Sequence, residues 1–224
     1  MDKKYELLKN DCVFHGTTVL YRIKALKDFA DVKEGDLGRY IESEDNLSQK
    51  DNCWVYGEHC KVMELAYICD NARVYDHATI GEHAIVGDDT VVKDWAKIMG
   101  NTLICGNAVI KGVSVIAGNV TLRGNNTVIG NTVRLTDTVT LTNAHIQSNK
   151  DYLCFTGIKQ SFYSIAFYRS DRGIMVYCDG NIWTSLFSFY KSVLWGNKPD
   201  MKEYLLMCDM VESHFGLNDM IEEK

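Results

Sequence analysis

The chain has 224 residues, 46% of them hydrophobic, and a formal net charge of −6. That length is one large domain, or one domain with appendages, and the apolar content is ample for a core. The acidic balance speaks against a generic basic nucleic-acid surface, the single Pro against a Pro-rich linker, and no stretch approaches the roughly eighteen apolar residues of a membrane span.

The opening Met1-Asp-Lys-Lys-Tyr-Glu-Leu-Leu is short and charged, unlike a secretory signal. Eight Cys occur without any Cys-x-x-Cys pair, and Cys105 and Cys154 lie in apolar segments. The expectation is a cytoplasmic protein with reduced cysteines, those two buried.

Residues 1–52 are not repetitive. Across Thr17-Thr-Val-Leu-Tyr-Arg-Ile-Lys-Ala-Leu, Val19, Tyr21 and Ile23 alternate with Thr18, Leu20, Arg22 and Lys24; only Leu20 breaks the pattern. That predicts a strand. Gly35-Asp-Leu-Gly predicts a turn into a second strand at Arg39-Tyr-Ile-Glu-Ser.

Residues 53–148 carry a six-residue period. Stepping by six from Val62 gives Ile68, Val74, Ile80, Val86, Val92, Ile98, Ile104, Ile110, Ile116, Leu122, Val128, Arg134, Thr140 and Ile146; thirteen of the fifteen positions are aliphatic. Small residues sit two places before most of them (Ala66, Ala72, Ala78, Ala84, Ala96, Ala108). Turn formers sit two places after: Glu64, Asp70, Asp76, Glu82, Asp88 and Asp94, then Gly100 through Gly130 at the same step. Such a period fits neither an amphipathic helix nor an alternating strand. It fits a coil of very short strands with a corner after each, where positive φ suits Gly and is tolerated by Asp or Asn. Val55 to Val62 spans seven residues, one inserted at the start. After Val128, the residues Val133, Leu135, Val139 and Leu141 flank the expected positions, so the last turn is irregular or slipped by one.

Residues 149–224 change character. Tyr152-Leu-Cys-Phe, Phe162-Tyr-Ser-Ile-Ala-Phe-Tyr and Gly173-Ile-Met-Val-Tyr-Cys predict three strands; Leu186, Phe189, Tyr190 and Val193 have helical spacing. Pro199-Asp200-Met-Lys-Glu203 reads as a capping box. Met201, Tyr204, Leu205, Cys208, Val211 and Phe215 form one apolar stripe that Gly216 ends.

The hexads Val74-Tyr-Asp-His-Ala-Thr, Ile80-Gly-Glu-His-Ala-Ile, Ile98-Met-Gly-Asn-Thr-Leu and Ile104-Cys-Gly-Asn-Ala-Val resemble those of the hexapeptide-repeat proteins. The resemblance implies three hexads per turn, residues about eighteen apart stacking at roughly 4.8 Å. The expected fold is therefore mainly β: a left-handed parallel β-helix of about five turns, with an N-terminal β cap and a small C-terminal α+β domain. The leader, with Leu20-Tyr-Arg-Ile-Lys-Ala-Leu-Lys-Asp-Phe, Gly35-Asp-Leu-Gly, Ile41-Glu-Ser-Glu, Asn46-Leu-Ser and Cys53-Trp-Val-Tyr-Gly, resembles that of mostly uncharacterised phage and prophage members. That group has a second Gly where this chain has Arg39, and its likeness brings no established activity.

Three surface patterns are candidate sites. Steps of eighteen place His59, His77, Trp95, Val113 and Asn131 at one corner, an aromatic ridge for a ligand or partner, or a packed edge. The carboxylates Asp70, Asp76, Asp88 and Asp94, with Glu64, Glu82 and Asp89, form a ladder that would suit a basic partner, a cation or mimicry of nucleic-acid charge, or serve as solvated turn residues. Outward apolar positions (Ile85, Val91, Leu103, Val109, Val115, Val133 and Val139) predict dry stripes buried by oligomerisation, a trimer by resemblance, or by the C-terminal domain.

The family resemblance also implies acyl-CoA-dependent acyl transfer with a His general base, for which His77 and His83 are the candidates. No long corner loop walls off a donor cleft, and no Pro-containing closing motif follows the last turn. His77 and His83, six apart, fall on different corners and could not chelate one zinc ion within a chain, so no metal and no cofactor are expected. The favoured reading is a non-catalytic oligomeric binding protein. It would act in counter-defence in an infected bacterium, occupying a host protein or sequestering a small signalling nucleotide. With no phosphate-binding loop, a nucleotide would have to be held by Arg73, Lys93, Lys97, Lys111 or Arg123.

Overall fold

A computed structural model describes residues 3–156, 164–178, 181–183, 185–195 and 201–217. Its centre is a parallel β-solenoid of three faces. The first face stacks Lys61–Val62, Thr79–Ile80, Lys97–Ile98, Val115–Ile116 and Arg134–Leu135. The second stacks Tyr67–Ile68, Ile85–Val86, Leu103–Ile104, Asn119–Arg123 and Thr138–Thr142. The third stacks Trp54–Val55, Arg73–Val74, Val91–Val92, Val109–Ile110, Val128–Ile129 and His145–Ile146. Val74, Val92 and Ile110 pile in one column, each 0% exposed. Most of these strands have two residues, of which one branched side chain points inward and contributes about 1.5–3 kcal/mol by burial.

The solenoid makes about six turns, one more than the hexads count. The additional one lies upstream of the regular hexads: Ile41 pairs in parallel with Val62, Leu47 bridges to Ile68, and Val55 pairs with Val74. The steps are 21, 21 and 19 residues, so a search for eighteen passes over this turn.

Three N-terminal strands extend the first face: β1 (Tyr5–His15), β2 (Thr18–Ala25) and β3 (Leu37–Ile41). The expected strand is β2, but its inward residues differ from those the alternation gives. Leu20, the exception in the pattern, is fully buried, while Val19 and Tyr21 are half-buried. A register shift between Arg22 and Lys24 then brings Ile23 and Ala25 inward. At this end Trp54 is buried, meeting Tyr5 and Phe29 edge-on at 6.2 and 5.3 Å. The Lys4 amine is buried there, donating to the carbonyls of Lys50 and Cys53, both at 3.0 Å. Burial lowers its pKa.

The other end is covered by an antiparallel sheet of Tyr152–Phe155, Ile165–Ser170, Gly173–Cys178 and Asn181–Trp183. Side chains alternate between its faces. Ala166, Tyr168 and Met175 join the solenoid core, whereas Ile165, Phe167 and Val176 pack with Leu186 and Phe189 of α1 (Leu186–Trp195) and with Val211 and Phe215 of α2 (Met201–Phe215). The Tyr168 hydroxyl accepts from the Thr142 backbone N–H at 3.2 Å, which satisfies a donor of the final turn. The start of the strand expected at Phe162 and the capping box at Pro199-Asp200 lie outside the described residues.

The register slips earlier than the hexads suggest. Ile110 pairs with Ile129, not Val128, and Ile129 is 0% exposed while Val128 is half-buried. The extra residue falls in Gly124-Asn-Asn-Thr, and a five-residue step from Leu141 to Ile146 restores the phase. Val133 and Val139, expected outside, are therefore shifted into the small inward column and are each 1% exposed. The expected stripe positions Ile85, Val91, Leu103, Val109 and Val115 do lie outward, one residue before a core aliphatic; Ile85 is exposed and the other four are half-buried.

Candidate contact edge and corner ladder

The chain turns three corners per circuit. The corner between the third and first faces carries His59, His77 and Trp95. Each backbone N–H bonds the circuit below: His59 to Asp76 O at 2.9 Å, His77 to Asp94 O at 2.8 Å and Trp95 to Gly112 O at 2.9 Å. That common pattern stacks the side chains. His59 and His77 have ring centroids 4.7 Å apart, and His77 and Trp95 stack at 3.9 Å with planes 20° apart. Trp95 is 57% exposed and Val113, next in the column, 55%. Asn131 does not continue it: Val113 N–H donates to Asn131 O, and Asn131 has φ 54°, so it sits in the turn column below Gly112. The one-residue slip accounts for the displacement.

Lys93 and Lys111 precede this corner and Lys97 follows it, outward on the first face. No ion-pair partner is found for these three among the described residues. The edge is thus a column of aromatic rings with uncommitted ammonium groups on both sides.

The acidic ladder has a different explanation from a partner site. Glu64, Asp70, Asp76, Glu82, Asp88 and Asp94 all occupy positive φ, from 51° to 60°. Each carboxylate accepts the backbone N–H of the matching corner residue one circuit on. Asp70 takes Asp88 at 3.0 Å, Asp76 takes Asp94 at 3.0 Å, Glu82 takes Gly100 at 2.7 Å, Asp88 takes Gly106 at 2.8 Å and Asp94 takes Gly112 at 2.8 Å; Glu64 takes Glu82. A corner N–H points along the solenoid axis, out of reach of the strand ladders, and these side chains supply its acceptor. Charge-assisted bonds of this kind hold successive circuits in register.

The Asp88 N–H, and secondly the Cys69 thiol, hold the Asp70 carboxyl below its ordinary range. A depressed pKa means stability present above the unfolded value, about 3.9, and lost as pH falls through the folded value. Asp70→Asn keeps an oxygen acceptor but cannot titrate. Its stability deficit against the parent, measured by urea unfolding, should therefore shrink between about pH 5 and about pH 2.

The other candidates are scattered. Asp76 and Asp94 adjoin the aromatic column, whereas Asp70 and Asp88 lie on the corner between the second and third faces. His83 lies between the first and second faces, away from His77, so the two candidate bases do not meet. Arg123 is exposed at the end of the Asn119–Arg123 strand. Arg73 lies outward on the third face, its Nη2 3.4 Å from Asp31 Oδ1; a hydrogen bond with Tyr75 raises its pKa. Cys105 and Cys154 are half-buried. Among the described residues no group of three or more His, Cys, Asp or Glu could hold a metal ion, and no helix is long and apolar enough to cross a membrane.

Sequence reasoning missed one cluster because its members belong to different series. Asn52 Nδ2 donates to Asn71 Oδ1 at 3.0 Å, and Asn71 Nδ2 to Asp89 Oδ1 at 2.9 Å. Beside them Tyr56 and Tyr75 stack at 4.7 Å. The steps of 19 and 18 residues were the available signal. Comparison of the chain with protein-family models and with curated proteins gives no match.

Proposed function

We propose that this chain is a non-catalytic binding protein whose partner, a protein, seats on the His59–His77–Trp95 edge. The observation that carries the reading is the large exposure of Trp95 in a ring already fixed by stacking on His77. A convex ridge of ordered rings loses little side-chain entropy on contact, and Trp is the residue type most enriched at binding hot spots. Lys93, Lys97 and Lys111 suit a partner with an apolar slot and an acidic rim. Acyl transfer is less well supported, because His77 is held between two rings and His83 is on another corner.

Hexapeptide-repeat membership is proposed on the six-residue period and the positive-φ corners. Phage origin and a counter-defence role in the bacterial cytoplasm rest on the likeness of the leader. Self-association through the Ile85/Leu103 stripe, as a trimer, fits its outward placement.

Native mass spectrometry of the tagged chain recovered from bacterial lysate tests the reading. A copurifying protein should be lost on Trp95→Ala, with affinity falling more than roughly tenfold, as expected for a hot-spot truncation. The thermal midpoint should barely move, since the ring is exposed. An unchanged partner set in Trp95→Ala, or acyl-CoA turnover abolished by His77→Ala, would overturn it.

A further inference from the structure

The third face carries a second feature, separate from the aromatic edge. Asn52, Asn71, Arg73, Tyr75, Asp89 and Val91 line an open groove of about 470 Å³. That volume falls within the range of small-molecule sites, about 300–1,000 Å³. We infer that this groove binds a neutral saccharide, one pyranose unit or the terminal unit of a glycan.

The wall chemistry argues for that class. Among the lining groups is the hydrogen-bonded ladder Asn52–Asn71–Asp89, whose internal bonds hold the carboxamides and leave Asn52 Oδ1, a second N–H on each amide and Asp89 Oδ2 for a ligand. The ladder therefore offers both donors and acceptors. Planar two-point groups of this kind match neighbouring hydroxyls, each of which both donates and accepts. The Tyr75 ring also lines the groove, fixed by stacking on Tyr56 with planes 16° apart. Tyr56 is itself tied through its hydroxyl to Asp31 at 2.7 Å. With the half-buried side chain of Val91, it provides apolar surface for the C–H face of a sugar ring.

Charge excludes the main competitors. The Arg73 guanidinium is engaged by Asp31 and Tyr75, and the Asp89 carboxylate stands at the rim. A phosphate would meet the negative charge of Asp89 and an already paired cation. A simple cation would meet Arg73. A neutral ligand with many hydroxyls meets neither penalty. The parts are also pre-ordered: ladder, tyrosine pair and ion pair are each formed without ligand, which lowers the entropic cost of binding.

The test is an NMR titration of the full chain, following the side-chain amides of Asn52 and Asn71. The probes are methyl β-D-glucopyranoside, methyl β-D-galactopyranoside and methyl α-D-mannopyranoside, with adenosine monophosphate as the charged contrast. At least one pyranoside should shift both amides saturably, and the monophosphate should not. Tyr75→Ala should weaken the response roughly tenfold. Val91→Phe, which places a ring in the groove, should abolish it, and Trp95→Ala should leave it unchanged. No amide shift with any of the three sugars, equal shifts with the monophosphate, or an unaffected Val91→Phe would overturn the assignment. Because Trp95 is spared, failure here is distinguishable from failure of the protein-binding edge.

Discussion

Gly100→Ala should destabilise the chain by about 2–5 kcal/mol, and Gly16→Ala by only about 1–2 kcal/mol, although both glycines have positive φ. Gly100 has φ 71° and Gly16 has φ 60°. For Gly16 the cost is the left-handed conformation alone, since an added Cβ meets nothing within 4 Å. At Gly100 the Cβ would lie 2.5 Å from both the N and the O of Gly118. Those are backbone atoms of the next circuit, so no rotamer change relieves the clash. Overpacking then adds to the strain. Urea midpoints of the two variants against the parent measure the difference. Equal shifts would mean that the circuits are not in close contact at this corner.

The same comparison explains why the corner series changes from acids to glycines along the chain. Corners that keep a side chain have φ from 51° to 60°; the glycine corners from Gly100 to Gly124 open to between 71° and 102°. At the wider angles a Cβ is driven into the neighbouring circuit, as at Gly100, Gly106 and Gly112. At the narrower angles it clears, and its carboxylate reaches the N–H one circuit on. The sequence made the corner positions legible through their turn formers. It did not reveal what the carboxylates do, because their acceptor role depends on which N–H lies eighteen residues away in space. Solvated acids and register-holding acids have the same spelling.

The ends of the solenoid were less legible than its middle, for two physical reasons. Strand β1 contains the polar run Lys9-Asn10-Asp11. The structure absorbs it in a register shift between Leu8 and Cys12, so pairing with β2 resumes beyond it. The first circuit is stretched to 21 residues by the short helical turn at Glu44–Asn46 and the loop that follows. Asn46 is completely buried there, its amide donating to Glu64 O and Ala66 O, both at 2.9 Å. The inward aliphatic beside it is Leu47, 21 residues before Ile68, so the eighteen-residue period does not register it. The aromatic edge was legible because its spacing of eighteen survives intact from His59 to Val113. The groove was not, since Asn52 and Asn71 straddle the one-residue insertion between Val55 and Val62.

Ile129→Ala should cost about 2–5 kcal/mol, while Val128→Ala should change stability by less than about 1 kcal/mol, the ordinary range away from the core. The hexad count assigns the inward place to Val128, and the structure gives it to Ile129. Three observations agree on the shift. Ile129 pairs with Ile110 and Ile146, both at 0% exposure. The positive φ of this corner belongs to Asn131, at 54°, and not to Gly130, which the unshifted count would use. Thr127, two places before Ile129, is fully buried in the small column, its hydroxyl donating to Arg123 O at 2.8 Å. An inserted residue moves every later side chain by one place until a deletion cancels it. Here the insertion at Gly124-Asn-Asn-Thr and the short step before Ile146 enclose Ile129, Leu135 and Leu141, which keep the core filled while Arg134 and Thr140 turn outward. Each circuit contacts only its neighbours, so the loss at Ile129 should also loosen the C-terminal sheet resting on the last circuit. Hydrogen exchange of the Ile165–Ser170 strand should therefore accelerate in Ile129→Ala and not in Val128→Ala. The opposite order of the two alanine variants would place Val128 inside and remove the basis for the shifted register.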